Sequence, residues 1–191
     1  MLTLINRMCW NSAGWRYPTA TADEGGYPGE NGFGHEEWNF NLDDDVDGYV
    51  YAYVYYKPPP TTLMKAGGEF RIGFWALEPG TRVRQLIGTY DFATVPSIGD
   101  YARADDVFEQ KGVYGRRVDE LLKAVPTLGR DRAHYEVTQS IRRQWLSFRC
   151  PVDKVRILEN PIPVDDLVSS KGTSYRFAMP TFIRDDELPE F

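Results

Sequence analysis

The sequence is poor in the residues that build covalent or metal frameworks. It contains two cysteines and two histidines in 191 residues, too few for a disulfide framework or a four-thiolate metal site. Cys9 and Cys150 lie among apolar or aromatic neighbours, which predicts buried free thiols. A ββα-metal nuclease needs several metal-binding side chains around a histidine base, but His35 and His134 stand in unrelated contexts. We therefore expect no metal site, cofactor or catalytic residue in this chain.

Long apolar runs and an excess of positive charge are also lacking. No run of about 18 apolar residues is present, and the opening residues 1–8 are too short for a signal peptide. We therefore expect a cytoplasmic protein without a membrane partner. The net charge of −6 argues against binding to nucleic acid through bulk charge. Residues 103–156 nevertheless carry twelve basic and eight acidic side chains, which indicates either a solvated helical face or a phosphate-contacting surface.

Aromatic residues, by contrast, are abundant. They make up 14% of the chain, with five Trp, twelve Tyr and ten Phe, so they serve either the packing of a small β-barrel or a ligand site. The length is that of one domain that buries roughly two thirds of its unfolded surface. We predict a single domain over residues 1–191. It has a long functional loop at 11–31, a barrel with helices over 45–160, and an acidic tail or linker over 160–191.

The hydrophobic pattern predicts strands first and helices later. Residues 49–56 alternate strictly, which puts Tyr49, Tyr51, Tyr53 and Tyr55 on one face, expected to be the barrel interior. Pro58–Pro60 ends this strand. The other predicted elements are strands at 69–77, 82–95, 145–149 and 154–158, and helices at 118–125 and 131–143. The predicted fold is α+β, a small mixed β-barrel with helices packed outside it.

The most distinctive segment is Glu30–Phe40, which reads ENGFGHEEWNF and follows WNSAGWRYP at Trp10–Pro18. Glycines on both sides of Phe33 allow positive φ and close approach of the backbone. The next residues, His35 to Asn39, combine stacking surface with hydrogen-bonding groups. A flipped base needs flat apolar walls and polar groups for its Watson–Crick edge. Asn or Glu suits cytosine, whose amino group donates beside ring acceptors.

The Trp-Asn-x-x-Gly-Trp opening, followed by Gly-Phe-Gly-His-Glu-Glu-Trp-Asn-Phe, resembles the amino-terminal domain of EVE–HNH-type modification-dependent (type IV) restriction endonucleases. Those domains belong to the PUA superfamily, with EVE, YTH, ASCH and SRA-like domains. The resemblance is sharp over residues 6–57 and only architectural from there to about residue 160. It implies a pseudo-barrel that admits an extruded 5-methylcytosine or 5-hydroxymethylcytosine of duplex DNA. The candidate base-pocket residues are Trp10, Trp15, Tyr27, Phe33, His35, Glu36, Trp38 and Asn39.

The basic region supplies candidate contacts to the DNA backbone. These are Arg116, Arg117, Arg142 and Arg143, together with Arg16 in the loop. Arginines at helix ends also serve the helix dipole or pair with carboxylates. The run Asp43–Asp45 followed by Asp47 lacks the glycine and closing glutamate of a calcium loop, and predicts a solvated turn.

We therefore expect a binding domain rather than an enzyme, with modified double-stranded DNA as its partner. For a full-length protein, the resemblance implies an HNH nuclease domain as a further partner. Three alternatives stay open. One is a YTH-like reader of N6-methyladenine in DNA or RNA. Another is a small enzyme acting on a nucleotide or other small molecule, with His35 and Glu36 as acid and base. The third is a protein-interaction module that uses Pro58–Pro60.

Overall fold

The computed structural model describes residues 2–20, 26–54, 68–165, 181–183, 186 and 188–189. Its larger sheet has the strand order β6-β4-β3-β1-β7, and its smaller sheet pairs β2 with β5. Strand β1 runs parallel to β3, whereas the other pairs are antiparallel. The strands are β1 Leu2–Met8, β2 Tyr49–Tyr53, β3 Phe70–Leu77, β4 Arg84–Ala93, β5 Leu146–Pro151, β6 Val155–Pro163 and β7 Thr181–Ile183. The helices are α1 Gly26–Asn31, α2 Ile98–Gln110, α3 Val113–Ala124 and α4 Arg130–Arg142.

Both sheets face one apolar core. Leu4 and Phe74 enter it from the larger sheet, and Val50 and Phe148 enter it from the smaller one. An isolated bridge between Thr94 and Arg149 joins the two sheets. The predicted α+β class is confirmed. The strands within the described residues form two bridged sheets rather than the closed barrel expected from the sequence.

The tyrosine face of β2 points away from this core, which corrects the expectation of a barrel interior. Val50 and Ala52 fill the space between the sheets, in the same core as the large ring of Phe74 from β3. Tyr51 packs instead with the helices, and its hydroxyl donates to the Asp100 carbonyl of α2 at 3.3 Å. A buried tyrosine needs such a partner, and the helix face provides it. Tyr55, Tyr56 and Pro58–Pro60 lie outside the described residues.

Helices α2, α3 and α4 form a second core against the smaller sheet. Val118 and Leu121 confirm the predicted helical stripe, although α3 begins at Val113 rather than at residue 118. Helix α2 was missed. It begins with a capping box in which Ser97 and Asp100 each accept a hydrogen bond from the other's backbone N–H.

The chain after residue 160 differs from the expected tail or linker wherever it is described. Strand β7 pairs with the missed strand β1, and Ile183 and Leu188 are buried against Trp75 on the outer face of the larger sheet. Apolar residues spread among acidic ones therefore cover a sheet face. Within the described segments, no helix is long and apolar enough to cross a membrane.

Candidate functional site

Four aromatic rings surround the imidazole of His35. The ring centroids of Tyr27, Phe33, Tyr53 and Trp145 lie 5.6, 5.5, 5.1 and 5.6 Å from that of His35. Phe33 is buried, whereas Tyr27, Tyr53 and Trp145 are partly exposed. We call this set the His35 cluster. It combines a buried polar ring with aromatic walls that reach the surface.

Local backbone geometry brings the first members together. Tyr27 stands on the single-turn helix α1, and Gly32, at φ +76°, turns the chain so that Phe33 points back inwards. Gly34 leaves no room for a side chain, because a Cβ there would lie 2.7 Å from both Cys9 Sγ and Glu36 Oε2. A 3₁₀ turn over His35–Trp38 follows directly. The Gly-Phe-Gly sequence is thus needed to seat this turn against the end of β1.

A carboxylate from α4 closes the polar end of the cluster. His35 Nε2 lies 3.5 Å from Glu136 Oε2, and Arg132 Nε donates to Glu136 Oε1 at 2.7 Å. The His35 contact, followed by the Arg132 ion pair, outweighs burial and lowers the pKa of Glu136 to about 2. The carboxylate is therefore ionised at neutral pH. Burial, and then the charge of Glu136, raises the pKa of Tyr27 well above its usual value.

A second buried carboxylate ties the two halves of the sequence motif together. Glu37 Oε1 accepts from Asn11 Nδ2 at 2.9 Å and from the Thr19 backbone N–H at 3.0 Å, while Oε2 accepts from the Gly34 backbone N–H at 3.0 Å. Burial raises the pKa of Glu37 in spite of these hydrogen bonds. Asn11 Oδ1 in turn accepts from the Trp15 backbone N–H at 2.9 Å. The Trp-Asn-x-x-Gly-Trp segment and the Gly-His-Glu-Glu segment therefore form one structural unit.

Trp10, Trp15 and Trp38 do not wall the cluster. Trp15 is 4% exposed and donates its indole N–H to the Cys9 carbonyl at 2.8 Å, and Trp10 meets its edge at 5.8 Å. Trp38 packs among the helices and donates its indole N–H to Glu120 at 2.8 Å. Trp15 and Trp38 are thus core residues, and Trp10 packs beside that core.

Glu36 and Asn39 also face away from the His35 cluster. Glu36 Oε2 lies 3.8 Å from Cys9 Sγ. The Asn39 amide donates to the Tyr53 carbonyl at 2.9 Å and accepts from the Tyr53 N–H at 2.8 Å, so it continues β2 as a backbone strand would. Of the eight predicted pocket residues, the structure thus brings together Tyr27, Phe33 and His35.

The arginines predicted to contact the DNA backbone differ in how deeply they are buried. Arg117 is 6% exposed, donates to Asp44 Oδ2 at 2.6 Å and lies over the rings of Trp38 and Phe108. Arg116 contacts the other oxygen of Asp44. Asp44 is 3% exposed, so the expected solvated turn is wrong at this residue. Arg117 holds a buried carboxylate and presents no surface to a phosphate.

The other three arginines are exposed. Arg142 donates to Asp105 Oδ1 at 3.1 Å. Arg143 lies over the Tyr135 ring at 5.7 Å. For Arg16 and Arg143, the described part of the chain provides no carboxylate partner. Of the five arginines predicted to contact DNA, Arg16 and Arg143 are therefore the two whose charge is available at the surface.

Sequence reasoning missed Tyr53, Trp145, Arg132 and Glu136 as members of the site. The spacing of Arg132 and Glu136 by four residues signals only a helical ion pair. Nothing in that spacing shows that Glu136 is turned inwards beneath an imidazole. Comparison with family models, curated proteins and solved structures finds no match to this chain.

Proposed function

We propose that this protein binds a modified base of duplex DNA, 5-methylcytosine or 5-hydroxymethylcytosine, extruded into the His35 cluster. The observation that carries the proposal is the cluster itself, in which partly exposed aromatic rings surround a polar centre backed by a carboxylate. A flipped base requires these two components. The resemblance of the motif to EVE–HNH-type domains supports the choice of ligand.

The chemistry of each component fits a cytosine derivative. Tyr27, Tyr53 and Trp145 offer partly exposed faces, and stacking of a base on an aromatic ring contributes about 1–3 kcal/mol. Glu136 is an ionised acceptor, which suits the exocyclic amino group of cytosine. A methyl group that fills an apolar wall adds on the order of 1 kcal/mol, or about fivefold to tenfold in affinity.

The surroundings of the cluster suit a duplex of moderate affinity. Arg143 is exposed and lies two residues before Trp145 in the chain, so we propose that it supplies a phosphate contact beside the cluster. With a net charge of −6, we expect few phosphate contacts and a shallow salt dependence. We further propose that the two bridged sheets are an open form of a PUA-type barrel. Within modification-dependent restriction in the cytoplasm, the domain would deliver an HNH nuclease to modified DNA.

The proposal is tested by measuring affinity for matched duplexes carrying cytosine, 5-methylcytosine, 5-hydroxymethylcytosine or N6-methyladenine. Trp145→Ala should abolish the preference for the modified duplex, and Phe92→Ala is the matched control. Phe92 is 43% exposed on β4, and its ring lies beneath the ammonium group of Lys154. Equal affinity of the wild-type protein for all duplexes at moderate salt contradicts the proposal. A preference for the N6-methyladenine duplex would instead support the alternative of a YTH-like reader.

The pairing of His35 with Glu136 favours a second candidate, a small enzyme acting on a nucleotide. A histidine oriented by a carboxylate within an aromatic site is an arrangement for acid–base catalysis. The partner is Glu136, whereas the enzyme alternative in the sequence analysis paired His35 with Glu36. Turnover of a nucleoside panel that disappears in Glu136→Gln, without selective binding to modified duplexes, would favour this reading.

A further inference from the structure

The imidazole of His35 occupies the centre of the site that the proposed function requires. It is 8% exposed and contacts all four rings of the cluster. Protein interiors are packed as tightly as organic crystals, so a ligand ring and the imidazole cannot share this position. A base that enters the cluster must replace His35.

Two polar atoms at the closed end of the cluster are poorly satisfied. The separation of 3.5 Å between His35 Nε2 and Glu136 Oε2 is long for an N–H···O hydrogen bond, whereas Arg132 holds the other oxygen at 2.7 Å. The Tyr27 hydroxyl is buried beside Glu136 and Arg132, close enough to affect the pKa of Glu136, but it forms no hydrogen bond of normal geometry among the described residues. Buried polar groups are nearly always paired. These two atoms therefore have hydrogen-bonding capacity that His35 does not use.

We propose that His35 is a displaceable occupant of the site, and that the ligand is a planar nitrogen heterocycle that presents an N–H or amino donor to Glu136. This inference rests on the proposed function, because it names the group that reads the extruded base. Glu136 Oε2 accepts from the amino group of the base, and the Tyr27 hydroxyl donates to a neighbouring ring nitrogen or carbonyl. Glu136 is thus the specificity-determining residue, and Arg132 positions it.

Replacement of His35 gives the direct test. His35→Ala removes the occupant and leaves the four rings and Glu136 in place. We expect this variant to bind the 5-methylcytosine duplex about fivefold or more tightly than the wild-type protein, since displacement of the side chain no longer reduces the binding-competent fraction. Equal or weaker binding overturns the inference, because His35 would then remain in place or contact the base.

Small probes test the ligand chemistry without DNA. At about pH 9, where both probes are neutral, imidazole should raise the Tm of His35→Ala more than 1-methylimidazole, because neutral 1-methylimidazole has no N–H donor. This difference should disappear in the double variant His35→Ala/Glu136→Gln. Equal effects of the two probes on His35→Ala overturn the role of Glu136. If neither protein prefers modified duplexes while imidazole is still selected, the proposed function fails and the donor-selective site survives.

A measurement on the wild-type protein covers the case in which His35→Ala does not fold. The chain has two histidines, so the imidazole signals of His35 and His134 are readily distinguished by NMR. His134 is exposed on α4 and serves as the internal control. Addition of the 5-methylcytosine duplex should shift the His35 ring signals towards those of a solvated imidazole. Binding that leaves these signals at their ring-shifted positions overturns the displacement.

Discussion

Arg116 and Arg117 bind the same carboxylate from successive positions of α3, which gives an internally controlled test of burial. Arg117 Nε donates to Asp44 Oδ2 at 2.6 Å, and Arg116 contacts Asp44 Oδ1. The side chain of Arg117 is 7% exposed, against 41% for Arg116 and 2% for Asp44. The perturbation is Arg117→Met, which keeps the apolar stem and removes the charge. Arg116→Met is the matched control.

The two substitutions should differ severalfold in their effect on the free energy of unfolding. Removing one partner of a buried ion pair costs about 3–5 kcal/mol when the other charge stays buried and unpaired. Asp44 keeps its contact with Arg116 in Arg117→Met, so this range is the upper limit of the loss. Arg117→Met also removes the cation that lies over the rings of Trp38 and Phe108. We add no separate free-energy cost for this loss, because the contributions of residues in contact are not additive. A half-exposed pair contributes about 0–1 kcal/mol. At about 2–4 °C per kcal/mol for a domain of this size, the upper limit for Arg117→Met corresponds to a fall in Tm of roughly 6–20 °C.

Urea and thermal unfolding, followed by near-UV circular dichroism, measure both variants against the wild-type protein. Equal destabilisation by Arg117→Met and Arg116→Met would show that burial of the guanidinium does not set the effect, and would refute the reasoning. Duplex binding below the transition separates stability from recognition. Folded Arg117→Met should bind as the wild-type protein does, whereas Arg143→Glu should weaken modified and unmodified duplexes alike. Loss of duplex binding in folded Arg117→Met would instead indicate that Arg117 contacts DNA, as the sequence predicted.

Two further predictions concern the buried carboxylates. Glu37→Gln places an amide N–H against the Gly34 N–H and should cost about 1–3 kcal/mol in urea unfolding, whereas Glu30→Gln at an exposed site should change stability by less than about 0.5 kcal/mol; equal effects would show that the Glu37 contacts do not hold the motif together. The pKa of Glu136 falls from its ordinary 4.5 to about 2 on folding, so its stabilising effect is present above about pH 5 and is lost as the pH falls towards 2. Tm measured from pH 2 to 6 should therefore depend less on pH in Glu136→Gln than in the wild-type protein, and an unchanged profile would contradict the pKa shift.

Elements with a strong apolar period were predictable from the sequence, and those with a weak one were not. The alternation at β2 and the stripe of Val118 and Leu121 on α3 each mark the element that the structure shows. Helix α2 was missed because only the second half of its buried face is strongly apolar. Val107 and Phe108 follow Tyr101 and Ala104, which carry little hydrophobic contrast. Strand β1 was missed because the polar residue Asn6 interrupts the apolar pattern of its inward-facing side chains. Only its place between β3 and β7 makes this segment a strand.

The candidate site could not be predicted correctly for a different reason: the sequence does not show in which direction each side chain of the motif points. In a 3₁₀ turn, three residues complete one revolution, so adjacent side chains of a motif point three ways. His35 and Trp38 face the helices, and Glu37 faces the loop at Asn11. Glu36 and Asn39 face the end of β1, where they meet Cys9 and Met8.

A pocket made of consecutive residues in this motif was therefore geometrically impossible, although its residue types suited a base. Of the side chains in this turn, His35 lies in the cluster. Glu36, Glu37 and Asn39, which could accept a hydrogen bond from a base, make their contacts elsewhere. The acceptor has to come from a distant element, and α4 supplies it through Glu136, with Trp145 beyond the end of the same helix as a wall. The proposed recognition thus depends on the packing of α4 against the turn, a contact between segments about a hundred residues apart that no local pattern encodes.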